Sequence, residues 1–125
     1  MLRMSHRLLV LLMVTSLALL QATGQTASAE DVPSTTLEIR AVGLLFNKPS
    51  LTVSAGSLVK VTFINDDVSV MHNFGIAILG VDPTEVCSGP CETVLVFTAP
   101  DPGNYQFFCS LHQGMQGDLY VLTAP

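Results

Sequence analysis

Tyr105-Gln106-Phe107-Phe108-Cys109-Ser110-Leu111-His112-Gln113-Gly114-Met115-Gln116-Gly117 sets an aromatic, extended segment directly before a thiol, an imidazole and a thioether. Residues 104–109 read as a strand, 110–117 as a loop holding two glycines, and 118–122 as the strand that follows. Soft sulfur donors favour Cu(I), imidazole serves both oxidation states, and two histidines, one cysteine and a weak methionine is the donor set associated with copper electron transfer. The second imidazole must come from elsewhere in the chain. Of the three histidines, His6 falls in a segment expected to be removed, which leaves His72 in Val70-Met71-His72-Asn73-Phe74. His72, Cys109, His112 and Met115 therefore form one candidate site for a single copper ion cycling between Cu(I) and Cu(II).

Each residue has a blander reading when taken alone. A solitary histidine is usually a satisfied polar group, a methionine is usually packing, and an unpaired cysteine is usually a small buried hydrophobe. The joint placement weighs against coincidence: Cys109 ends a strand, His112 and Met115 sit on the next loop, and His72 opens another strand. Four such positions can meet at one end of a sandwich of strands, and loops on a rigid scaffold commonly carry function.

Outward from the site, short apolar runs rich in β-branched residues alternate with turn signals, an all-β pattern. Strands are expected over 36–45, 51–53, 57–65, 72–79, 92–98, 104–109 and 118–122. The clearest is 57–65, where Leu58-Val59-Lys60-Val61-Thr62-Phe63 carries the alternation of a half-buried strand. Asn65-Asp66-Asp67 breaks it, and Ala99-Pro100-Asp101-Pro102-Gly103 forces a tight turn. Residues 80–91 read as a loop with room for one helical turn. The fold expected is a β-sandwich of about seven to eight strands.

The N-terminus reads as an export signal. Arg3 and Arg7 precede a nearly all-apolar run from Leu8 to Leu20, and Ala27-Ser28-Ala29 offers a cleavage site. That run is shorter than the roughly 20 residues a membrane-spanning helix needs, so cleavage is expected rather than anchoring. The organisation expected is a signal peptide at 1–29, a short polar N-terminal segment at 30–35 and one domain at 36–125, exported to the periplasm or the cell exterior. Removal of Arg3 and Arg7 takes the net charge of −5 to −7. An acidic domain of this kind is a poor match for nucleic acid or an anionic membrane and would suit a basic protein partner.

Three cysteines in an oxidising compartment require an explanation for the odd one. Cys87-Ser88-Gly89-Pro90-Cys91 holds two thiols around turn residues and favours a structural disulfide. A second metal or redox dithiol is the alternative. Cys109 is then the unpaired thiol, which metal ligation would both use and protect.

At this point the chain resembles the cupredoxins, the small blue-copper proteins that include plastocyanin, azurin and amicyanin. Ala55-Gly56-Ser57-Leu58-Val59-Lys60-Val61-Thr62-Phe63-Ile64-Asn65 is similar to the family's strand before the first histidine, and His72-Asn73-Phe74 to the step carrying that ligand. Phe97-Thr98-Ala99-Pro100-Asp101-Pro102-Gly103-Asn104-Tyr105 is similar to the lead-in to the cysteine, and the C-x₂-H-x₂-M spacing is that of the short amicyanin ligand loop. The chain departs from many relatives in carrying Gln113 where they have proline, and in its Cys87/Cys91 pair.

The resemblance implies a Greek-key sandwich, with Cys109, His72 and His112 as equatorial ligands and Met115 as the axial one. It further implies that Asn73 and Ser110 bond each other across the site, with the Asn73 amide directed at the Cys109 sulfur. Electrons would leave through the His112 ring edge, ringed by Met71, Leu111 and Met115. The implied role is a one-electron carrier rather than an enzyme, with redox proteins such as a c-type cytochrome or a copper enzyme as partners. A copper carrier using the same ligands is the alternative.

Overall fold

The computed structural model describes residues 34–125. The expected signal peptide and most of the polar segment after it lie outside the described residues. Ten strands follow one another: β1 (Thr35–Val42), β2 (Leu45–Phe46), β3 (Ser50–Ser54), β4 (Leu58–Asn65), β5 (Met71–His72), β6 (Gly75–Ile76), β7 (Cys87–Ser88), β8 (Cys91–Thr98), β9 (Gly103–Phe108) and β10 (Gln116–Leu122). No helix occurs among the described residues, so none there is long and apolar enough to cross a membrane.

Two four-stranded sheets form the sandwich. One has the order β2-β1-β4-β8 and the other β3-β10-β9-β6, while β5 and β7 pair apart from both. The chain crosses from sheet to sheet between β2 and β3 and back before β4, so β1 lies parallel to β4, and β3 parallel to β10. Alternation drives this arrangement: in β4, Val59, Val61, Phe63 and Asn65 point inward and are buried, and the residues between them are half-exposed. Ile39, Ala41, Leu95 and Phe97 extend that face, and Leu51, Val53, Phe107, Leu119 and Val121 cover it from the other sheet. Burying each of the large side chains contributes about 2 kcal/mol before the entropy of ordering is subtracted.

The alternating strand at 57–65 appears as β4, but three readings need correction. The run expected over 36–45 ends at Val42, turns through Gly43 at φ 65°, and pairs back on itself as β2. The single extended run over 72–79 is divided: β5 pairs with β7, and β6 pairs with β9. Between them the Phe74 N–H bonds the Thr84 hydroxyl at 3.0 Å, and the Thr84 N–H returns to the Phe74 carbonyl at 2.8 Å. The 80–91 segment has no helical turn, and what reads as loop holds the short strand β7.

The register brings several strand ends together. Asn65 of β4 pairs with Ala41 of β1 and with Cys91 of β8, and Phe108 of β9 pairs with Gln116 of β10 and with Gly75 of β6. Beneath this end the rings of Phe46, Phe63, Phe74 and Phe107 interlock at centroid distances of 5.3–6.2 Å. Edge and offset contacts of this kind add about 1 kcal/mol each beyond area burial.

Candidate metal centre

His72, Cys109 and His112 come from two separate parts of the chain, and their ligand atoms all lie within 4.8 Å of one another. Cys109 Sγ is 3.8 Å from His72 Nδ1 and 3.6 Å from His112 Nδ1. The two imidazole rings are 4.7 Å apart between centroids and tilted by 58°. Cys109 is the free thiol and is buried; His72 is fully buried, whereas His112 is half-exposed.

Residues 109–115 fold back on themselves. The Cys109 N–H donates to the Met115 carbonyl at 3.0 Å, and the Met115 N–H to the His112 carbonyl at 3.2 Å. Gly114 takes φ 84°, a left-handed conformation that costs a residue with a Cβ about 1 kcal/mol or more. The turn carries Met115 inward, where it is 1 % exposed and joins the core. Buried to that degree, Met115 cannot belong to the apolar ring expected on the surface around His112; Met71, at 55 % exposure, and Leu111, at 38 %, do reach solvent.

Asn73 and Ser110, each adjacent to a candidate ligand, exchange two hydrogen bonds. Asn73 Nδ2 donates to Ser110 Oγ, and the Ser110 N–H donates to Asn73 Oδ1, both at 2.8 Å. These bonds join the His72 side of the site to the Cys109 side. The side-chain amide of Asn73 is thereby turned to Ser110, and the Cys109 sulfur faces the two imidazole nitrogens instead.

Cys87 and Cys91 are bonded to each other, which removes them as a second metal site. The closed loop lies against residues 65–72: the Ser69 N–H bonds the Gly89 carbonyl at 2.9 Å, and the Gly89 N–H bonds the Val70 carbonyl at 3.0 Å. A Cβ on Gly89 would fall 2.2 Å from the Asp67 carbonyl oxygen, so only glycine permits the approach. Ser69, in the same turn, holds φ 63°, an unusual conformation for a residue with a side chain.

Two residues read from sequence only as a strand breaker belong to this centre. Asp67 Oδ2 lies 2.9 Å from His72 Nε2, and Asp67 Oδ1 accepts the Gly43 N–H at 2.8 Å. The Gly43 N–H above all, and then the His72 imidazole, hold the Asp67 carboxyl below the usual carboxylate range against the opposing effect of desolvation. Asn65, fully buried, accepts the Asp67 N–H and donates to the carbonyls of Val70 and Cys87. A carboxylate five positions before a histidine is a faint signal in sequence, because the bond depends on how the intervening turn closes.

The fold has counterparts among solved structures. An auracyanin B structure superposes with a TM-score of 0.66 at 23 % identity, covering 77 % of this chain and 93 % of that one, a likeness of fold. The dithionite-reduced auracyanin of Roseiflexus castenholzii gives 0.63 at 26 % identity, covering 75 % of this chain and 100 % of its own. Auracyanin A of Chloroflexus aurantiacus, described as a "blue" copper protein, gives 0.63 at 27 %, covering 70 % and 98 %. A search of curated protein sequences returned no match. The model of the cupredoxin-like domain spans residues 9–121, and with most of the sequence inside that match, the chain belongs to the cupredoxin family.

Proposed function

We propose that this protein is an exported, mononuclear type 1 copper protein that carries single electrons between redox partners. The observation that supports the reading most strongly is the convergence of His72 Nδ1 and His112 Nδ1 on the buried Cys109 sulfur. The donor chemistry fits copper: one cysteine sulfur and two imidazoles lie in reach of a common point, and the backbone of the buried Met115 is bonded to that of Cys109. The description of auracyanin A as a blue copper protein and the reduced state of the Roseiflexus auracyanin support it further. Export rests on the sequence of residues 1–29, and the domain is taken as 36–125.

Copper, when bound, supplies the one-electron couple. The chain supplies everything around it. Cys109 provides a sulfur donor shielded from water, which keeps it from wasteful oxidation and leaves it committed to the metal. His72 holds its position from a buried strand end, while the half-exposed His112 offers the short path to solvent and to a docked partner. The aromatic packing beneath and the Asn73–Ser110 pair keep both histidines and the cysteine in one arrangement, so little needs to move as charge changes. The acidic surface favours encounter with a basic protein.

The test is to load the purified protein with one equivalent of Cu(II) and record its visible spectrum and voltammogram beside Cys109→Ser. An intense thiolate-to-copper band, absent from the variant, together with a reversible one-electron wave, is the expected result. Binding of Cu(I) without that band, with handover to an apo-acceptor, would replace electron transfer by copper carriage.

A further inference from the structure

We infer that Asp67 is a positioning residue for this centre, a carboxylate that fixes His72 in one tautomer and strengthens its Nδ1 as a donor, favouring the oxidised metal. The inference rests on the copper reading above and extends it to a residue outside the ligand set.

An ionised carboxylate can only accept, so the proton of the His72–Asp67 bond resides on Nε2, and Nδ1 is left with its lone pair toward Cys109. His72 is fully buried and the Asp67 side chain retains only 18 % exposure, so water screens the pair weakly. A carboxylate on the remote nitrogen of a ligating imidazole draws its N–H proton and raises its basicity. It also places a negative charge near the metal. Both effects stabilise Cu(II) more than Cu(I), and both therefore lower the reduction potential.

Asp67 is itself held from three directions. Oδ1 is tied to Gly43 in the β1–β2 turn, the backbone N–H to Asn65 at the end of β4, and the carbonyl sits under Gly89 of the disulfide loop. Asn65 locks the turn by donating to the Val70 and Cys87 carbonyls at 2.8 and 3.0 Å. An incidental surface contact would leave its carboxylate free to rotate. Here both oxygens and the backbone are engaged, and the fold determines where the charge sits.

Asp67→Asn is close to isosteric and removes the charge, and its single amide oxygen can accept the Nε2 proton only by giving up the bond from the Gly43 N–H. Copper-loaded wild type and Asp67→Asn are compared by voltammetry, and the metal-free proteins by nitrogen-15 correlated NMR of the histidine rings. The expected result is a blue variant with a reduction potential above that of the wild type, and a slowly exchanging, downfield His72 Nε2–H in the wild type that moves upfield in the variant. Equal potentials in two blue proteins would overturn the role of Asp67 and leave the copper reading intact. A wild type that takes up Cu(II) without colour would overturn the copper reading and this inference with it. Should Asp67→Asn fail to fold, the wild type still decides: a His72 ring without a protected Nε2–H overturns the inference.

Discussion

His72 and the Cys109–Met115 loop reach the same point by opposite means. His72 is buried on a two-residue strand, and its position depends on Asn65 at the end of β4 and on the β1–β2 turn and the disulfide loop, the last two distant in sequence. The 109–115 loop is local: its closing hydrogen bonds lie within seven residues, and its histidine is half-exposed. The first arm is rigid because many segments must move for it to move, and the second because a short ring of backbone bonds is closed between two strands of one sheet. In the proposed carrier role the division is an advantage, since one histidine stays sheltered while the other is open to a partner.

The largest effect expected separates the two histidines. His112→Gly and His72→Gly should each abolish the blue band, but added imidazole should restore it to His112→Gly, whose lost side chain reached solvent, and not to His72→Gly. Spectra recorded during an imidazole titration check this. Equal rescue of both would show that the His72 arm is open, and the contrast drawn here would fail.

Next in size is Gly89→Ala, in which the new methyl must displace the Asp67 backbone. It should cost about 3 kcal/mol, at the upper end of what overpacking does, and lower the thermal midpoint of the metal-free protein by more than 10 °C, on the order of 5 °C per kcal/mol. Asn73→Ala removes two hydrogen bonds joining the arms and should cost about 2 kcal/mol by denaturant titration. A double-mutant cycle with Ser110→Ala sharpens the point: the two changes should be markedly non-additive, because the pair shares one interaction. Gly114→Ala, in the local loop, has open space around the new Cβ and only the left-handed backbone to resist it. Its cost should be about 1 kcal/mol. A loss as large as that of Gly89→Ala would mean that the loop is as tightly braced as the His72 arm.

The same contrast explains how much of the molecule is legible in its sequence. The 109–115 loop was legible because its donors share a short stretch whose spacing is itself the signal, and β4 was legible because one face of it is buried and the other is not. The His72 arm was only partly so. The residue could be named, yet its strand was drawn too long, because pairing passes from β7 to β9 through hydrogen bonds of Phe74 with Thr84 that no periodicity encodes. Asp66 and Asp67 look alike as consecutive acids after a strand. One pairs with Arg40 at the surface and the other meets the buried His72, a difference created by the turn they enter. Met115 was identified as a donor, but its burial emerges only once Gly114 has turned the chain inward.

The short span between Cys87 and Cys91, four positions, also bears on how three thiols sort themselves in a chain still unfolded under oxidising conditions. Closing that small ring is entropically easier than closing the wider one from Cys91 to Cys109, by roughly tenfold if chain length alone decides. The correct partner is thus favoured before any sheet exists. Cys109 is the thiol that this preference leaves over, and the finished fold buries it, so the order of residues along the chain and the closed core favour the same pairing.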